Sequence, residues 1–162
     1  MKTPLIIAVG RGWAATSPLN YTLQLTNRCS HGGLLKEDHL LSHIYDPKAW
    51  KWREPWYKTL KAAKYTPTRD RVIGYLGKYG FHHNTEEIEE YYKKPTLETY
   101  IKYYTRHYQR VKHEYKYVSD FSNSNAFLPQ HFWMKIAPEL KRHFRIKVLM
   151  IVRDPVRRLY SE

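Results

Sequence analysis

Three clusters of residues in this 162-residue chain have types and spacings suited to holding and moving anionic groups. The first is Arg153-Asp154-Pro155-Val156-Arg157-Arg158-Leu159-Tyr160-Ser161, placed directly after the apolar run Val148 to Val152. Asp154 is a good helix N-cap, and Pro155 suits the first helical position. The strand is therefore expected to end at Arg153 and a helix to begin at once. Free backbone N–H groups, the positive end of the helix dipole and a guanidinium then converge on one point. Ser161, two turns along, adds a hydroxyl donor. The same residues also suit a strand–helix junction whose Arg salt-bridges a neighbour.

The second cluster is Gly10-Arg11-Gly12-Trp13-Ala14-Ala15-Thr16-Ser17, following the apolar run Leu5 to Val9. A strand, a loop of small residues and a helix opened by Pro18, with Thr16 or Ser17 as cap, form the geometry that cradles phosphates. An ordinary Gly-rich turn has the same composition. The third cluster is Lys36-Glu37-Asp38-His39. On a strand, alternation puts Glu37 and His39 on one face, where a carboxylate can act as a base. A solvated charged strand end reads identically.

The elements that must position these residues follow from pattern. Leu5 to Val9 reads as a buried strand. Leu19, Thr22, Leu23 and Leu25 supply the buried side of the helix that follows, which Cys29-Ser30-His31-Gly32-Gly33 breaks. Leu34 to Glu37 is the candidate for a second strand. An acidic helix is expected from Glu86 to Lys93, stopped by Pro95. Thr96 caps a longer helix with Leu97, Ile101, Tyr104, Tyr108 and Val111 at helical spacing. Lys116 to Asp120 is a third strand. Pro129 opens a helix with Phe132, Ile136 and Leu140 on one face and Lys141, Arg142 and His143 at its C-terminal end. Val148 to Val152 is expected as a fully buried final strand. Alternation of strands and helices argues for an α/β fold with a parallel sheet flanked by helices. Residues 45–115, dense in Tyr, Trp, Lys and His, are expected to be a helical insertion within one domain spanning 1–162.

Composition narrows the function classes. Apolar residues at 42% exclude a wholly disordered chain. A formal charge of +13 calls for an anionic partner, with nucleic acid, acidic glycan, anionic membrane and nucleotide all eligible. The single cysteine, Cys29, excludes an internal disulfide framework. His82, His83, His107 and His113 lack the spacing of a zinc site and read as exposed or hydrogen-bonded side chains.

The Arg-Asp-Pro-Val-x-Arg-x-Tyr-Ser segment at 153–161 resembles the 3′-phosphate-binding segment of the sulfotransferases that use 3′-phosphoadenosine 5′-phosphosulfate (PAPS). The resemblance implies that Arg153 and Ser161 grip the 3′-phosphate of the nucleotide. The loop at 10–19 is similar to that family's 5′-phosphosulfate loop, implying cofactor contacts from Arg11, Gly12, Ala15, Thr16 and Ser17. Two departures stand out: Ala15 replaces the usual Gly, and Trp13 falls where the family has Lys, leaving Arg11 as the nearest cation. Lys36-Glu37-Asp38-His39 resembles the catalytic segment of glycan sulfotransferases, with Glu37 as base and Lys36 and His39 beside it. Asp120 to Pro129 resembles the polar segment that lines the acceptor cleft.

Taken together, the resemblance implies a P-loop-containing nucleotide-hydrolase-like three-layer fold and transfer of a sulfuryl group to a hydroxyl or amine acceptor, such as a glycan held by the basic, aromatic middle. The cofactor would be PAPS, the product 3′-phosphoadenosine 5′-phosphate, and no metal is implied. The family continues beyond the helix expected at 154, so a C-terminally shortened member is expected. No signal peptide or transmembrane anchor is legible, which fits a cytoplasmic setting. The alternative is a non-enzymatic basic protein that binds nucleic acid or acidic polysaccharide. A nucleotide kinase is disfavoured by the lack of Gly-x-x-x-x-Gly-Lys-Ser/Thr.

Overall fold

The computed structural model describes residues 1–10, 16–31, 39–48, 91 and 94–152, with backbone only at 16, 17, 21 and 31. The elements are β1 (Thr3–Val9), α1 (Thr16–Leu25), β2 (Cys29–His31), α2 (Leu40–Tyr45), α3 (Leu97–Val111), β3 (Tyr117–Asp120), a 3-10 turn (Asn123–Phe127), α4 (Gln130–His143) and β4 (Phe144–Met150). The four strands form one sheet in the order β2-β3-β1-β4. Every pairing is parallel, with Leu5 beside Val118 and Ile146, and Ser30 beside Val118. The expected α/β architecture with a parallel sheet and flanking helices is present.

Side-chain alternation divides the sheet into two faces. Leu5, Ile7, Val118, Asp120, Ser30 and Ile146 point to one, the face that carries α3 and α4. The core lies there: Leu5, Ile7 and Val118 pack with Tyr100, Tyr103 and Tyr104 of α3 and with Phe132, Ile136 and Leu140 of α4. α3 holds its place through a capping box: Thr96 Oγ1 accepts from the Thr99 amide at 3.2 Å, and the Thr96 amide donates to Thr99 Oγ1 at 3.0 Å. Phe132, Ile136 and Leu140 are all buried, as their spacing requires.

Four tyrosines, at 91, 100, 103 and 104, are fully buried. They are core, so they cannot stack on an external sugar. Their rings meet edge-on: Tyr103 and Tyr104 lie 4.9 Å apart at 81°. Tyr91 donates from its hydroxyl to the Leu40 carbonyl at 2.5 Å, which ties it to α2.

Three expectations are corrected, and a fourth lies outside the described residues. The segment Cys29–His31, read as a helix breaker, is itself β2, paired with Tyr117–Ser119. Leu34 to Glu37, the expected second strand, lies outside the described residues apart from its neighbour at 39. The final strand runs through Phe144–Met150 and is not fully buried: Val148 and Met150 are 66% and 72% exposed. Among the described residues β4 is the sheet's edge, with a partner strand on one side only. Finally, α1 starts at Thr16, two residues before Pro18. Pro18 is still within the first turn, where an amide proton would have no intrahelical acceptor.

Candidate functional site

The strand order creates a crevice. The connection after β1 runs to β2 on one side, and the connection after β3 runs to β4 on the other. Right-handed crossovers put helices moving in opposite directions on opposite faces. The packing agrees: α3 touches α2 and α4, whereas α1 packs on β2. Ligands of open α/β sheets bind where such connections part, beyond the carboxyl ends of the strands. Here that point lies between β1 and β3.

A polar network occupies it. Asp120, the last residue of β3, is 1% exposed. Its Oδ2 accepts from the Tyr100 hydroxyl at 3.1 Å and its Oδ1 from the Ser122 amide at 3.0 Å. A buried carboxylate needs such donors. Burial, and then the neighbouring Asp120 charge, push the Tyr100 phenol well above its usual pKa, so Tyr100 stays a donor.

The chain then turns through Ser122 and Ser124 to meet His39. Ser122 Oγ accepts from the His39 amide at 2.9 Å. Ser124 Oγ and His39 Nδ1 share a hydrogen bond of 2.6 Å. His39 sits immediately before α2 in the left-handed region, at φ 55° and ψ 29°. For a residue with a Cβ that conformation costs about 1–2 kcal/mol. Two hydrogen bonds from the 122–124 segment hold it there. Strain offset by surrounding structure is a mark of functional positions.

Asn125 closes the network. Its Nδ2 donates to the Ala8 carbonyl near the end of β1 at 3.4 Å, which binds the 3-10 turn to the strand that leads into the small-residue loop. Its Oδ1 is buried and has no partner among the described residues. Thus one short segment, 120–125, joins the ends of β1, β3 and α2.

Of the residues singled out from sequence, His39 is placed, and it meets the polar segment at 120–129 that was read separately. Thr16 and Ser17 form the start of α1. Lys36, Glu37, Arg11, Gly12, Ala15, Arg153 and Ser161 lie outside the described residues. Tyr100 had not been singled out, whereas Ser122, Ser124 and Asn125 belong to the 120–129 segment read as lining an acceptor cleft, without individual roles.

Two further groups are structural. His107 is fully buried and its Nε2 shares a 2.9 Å hydrogen bond with Ser30 Oγ, as expected for a hydrogen-bonded histidine. Burial pushes the Cys29 thiol up to about 11, against a smaller opposing effect of its hydrogen bond with Ser119, so it is a poor nucleophile. Among the described residues no group of three His, Cys, Asp or Glu side chains is placed to hold a metal. Among them, too, no helix is long and apolar enough to cross a membrane. No protein-family model matches the chain, and neither a curated protein nor a solved structure does.

Proposed function

We propose that the chain is built to transfer a sulfuryl group from PAPS to a hydroxyl or amine acceptor. The observation that carries this reading is the meeting of His39 with Ser122 and Ser124 at the carboxyl end of a parallel sheet. The strand order β2-β3-β1-β4, with α1 opening six residues after β1, supports a P-loop-like arrangement in which the helix N-terminus faces an anion.

The described residues suit a nucleotide as far as they reach. The amides of Thr16 and Ser17 belong to the first turn of a ten-residue helix and have no intrahelical acceptors. Arg11, Gly12 and Ala15 would complete the grip on the 5′-phosphosulfate, with Arg153 and Ser161 on the 3′-phosphate. When bound, the cofactor supplies an activated sulfuryl group. Glu37 takes the proton of the acceptor hydroxyl, with Lys36 beside it. His39, held at Nδ1 by Ser124, orients the acceptor. Its αL backbone carries the chain from the 36–38 segment into α2, which ties the base to the anchored network.

Calorimetry with 3′-phosphoadenosine 5′-phosphate and with AMP tests the reading. The bisphosphate should bind, and Arg153→Ala should weaken it by about 2–3 kcal/mol, as for loss of a charge-assisted contact. AMP should respond little. Failure of the wild-type chain to prefer the bisphosphate would overturn the assignment.

A further inference from the structure

In an all-parallel sheet both faces are normally covered and the strands are apolar throughout. β4 breaks that rule. Its sequence alternates Phe144, Arg145, Ile146, Lys147, Val148, and the parallel register decides where each side chain goes. Ile146 pairs with Leu5 and shares the core face. Arg145, beside Pro4, and Lys147, beside Ile6, therefore point to the opposite face, and both are exposed.

Tyr117 points to the same side. Val118 pairs with Leu5 on the core face, so the residue before it faces away. The Lys147 ammonium crosses the intervening strand and lies 5.0 Å from the Tyr117 ring centroid. That is a cation–π distance. A hydrogen bond from Lys147, and then the charges of Lys147, Arg145 and Lys116, hold the Tyr117 phenol below its usual pKa. One phenol thus feels three cations. Lys116 is exposed, as is Arg28, whose carbonyl accepts from the Tyr117 amide at 3.1 Å. Among the described residues none forms an ion pair with Arg145, Lys147 or Lys116.

We infer that this basic patch along β4 and the start of β3, formed by Tyr117, Arg145, Lys147 and Lys116, is a docking surface for single-stranded nucleic acid. Charge complementarity points to a polyanion, and the +13 formal charge draws such a partner in. The aromatic ring among the cations decides the class. A nucleotide strand brings a phosphate for each cation, Lys147 included, and a flat base to take the place of the Lys147 ammonium over the ring, the combination that single-strand binders use on sheet surfaces. A sulfated glycan would offer the cations its sulfates and the ring only the aliphatic face of a sugar, and it is the competing occupant that the test separates. The surface is made at the amino half of β3 and β4. It is therefore remote from the crevice beyond their carboxyl ends, and it stands independently of the nucleotide-site reading.

The test is fluorescence anisotropy of labelled oligothymidylate with the full chain. Tight binding should weaken as salt rises, with a log–log slope near −2 from about three phosphate contacts. Arg145→Ala with Lys147→Ala should weaken binding at least tenfold and make the slope shallower by about 1.4. Tyr117→Ala should cost about a further tenfold, the usual worth of a stacked base, while Tyr117→Phe should bind normally. Arg145 and Lys147 are at the surface, and Tyr117→Phe preserves the half-buried ring. Lys48→Ala with Lys135→Ala removes two exposed charges elsewhere and should leave the affinity nearly unchanged. An equal loss from that control pair would overturn the site. So would indifference to Tyr117→Ala, and so would preferential binding of heparin fragments over oligothymidylate, which would assign the surface to a glycan.

Discussion

The core face of the sheet and the basic patch on the far side of β4 handle polar groups in opposite ways. On the α3 and α4 face, polar atoms are buried and anchored: Asp120 holds two donors and Ser30 pairs with His107. On the other face, Arg145 and Lys147 of β4 stand exposed around Tyr117. Burial makes each hydrogen bond on the first face costly to lose, because the abandoned partner cannot turn to water. Exposure makes each charge on the second face nearly irrelevant to folding and available to a ligand. Polar side chains therefore serve stability in the first place, and in the second they are left for the recognition we propose.

The sharpest way to break this comparison is at Tyr100. It is fully buried and its hydroxyl reaches Asp120. Tyr100→Ala should destabilise the fold by about 3–5 kcal/mol, by opening a cavity and stripping a donor from a buried carboxylate. Tyr100→Phe keeps the ring and isolates the hydrogen bond, with an expected loss of about 1–3 kcal/mol. Urea denaturation of both variants measures the two contributions. A neutral Tyr100→Phe would show that Asp120 is sufficiently held by the Ser122 amide alone.

Acid sharpens the same contrast. His43 is buried on α2, and burial lowers its pKa from 6.5 to about 4. The unfolded chain therefore binds a proton that the folded chain refuses between those values. Stability from this group is fully present above about pH 6.5 and is lost as pH falls towards 4. The midpoint of urea unfolding should drop across that window, and His43→Leu should flatten the drop. An unchanged profile in His43→Leu would assign the acid sensitivity to other groups.

Next in size is Ser124→Ala. It removes the hydroxyl that meets His39 Nδ1 and leaves the Ser122 bond to the His39 amide in place. The fold should lose about 1 kcal/mol, the worth of an ordinary hydrogen bond. On the proposed function, sulfate transfer should fall more than stability does, because the imidazole is released from its orientation. Turnover by Glu37→Gln should fall by about 10²–10⁴-fold at saturating PAPS, the usual worth of a general base. Equal turnover in Ser124→Ala and wild type would leave His39 a purely structural cap for α2.

The legible parts of the fold were those with a local signal. Thr96 announced α3 by its capping chemistry, and Phe132, Ile136 and Leu140 announced the buried side of α4 by spacing. β2 escaped because Cys29–His31 is three residues long, too short for alternation to register, and takes its identity from pairing with β3. α2 escaped because it begins after a left-handed histidine with no side-chain cap. β4 was misjudged in burial because an apolar run does not reveal how much of it the rest of the fold will cover. The site was half legible for a related reason. His39 and the 120–129 segment each carried suggestive residue types. Their contact spans 85 positions of chain and depends on which strands lie side by side, which no local pattern encodes.

The smallest expected effect tests the other side of the comparison. Arg145 and Lys147 are exposed, and Lys147 lies over the half-buried ring of Tyr117. An exposed cation–π contact is worth about 0.5–1 kcal/mol at most. Arg145 adds charge near that ring without an ion-pair partner among the described residues, so its removal relieves repulsion as much as it removes attraction. Lys147→Ala should shift unfolding free energy by no more than about 0.5–1 kcal/mol, and Arg145→Ala by less than about 0.5 kcal/mol in either direction. Raising salt should shrink even these differences, since exposed charges are screened over about 8–10 Å at ordinary ionic strength. A loss of several kcal/mol in either variant would mean that the cations hold the sheet together. The face would then belong to the folding machinery, and the division between an anchored side and a recognition side would fail.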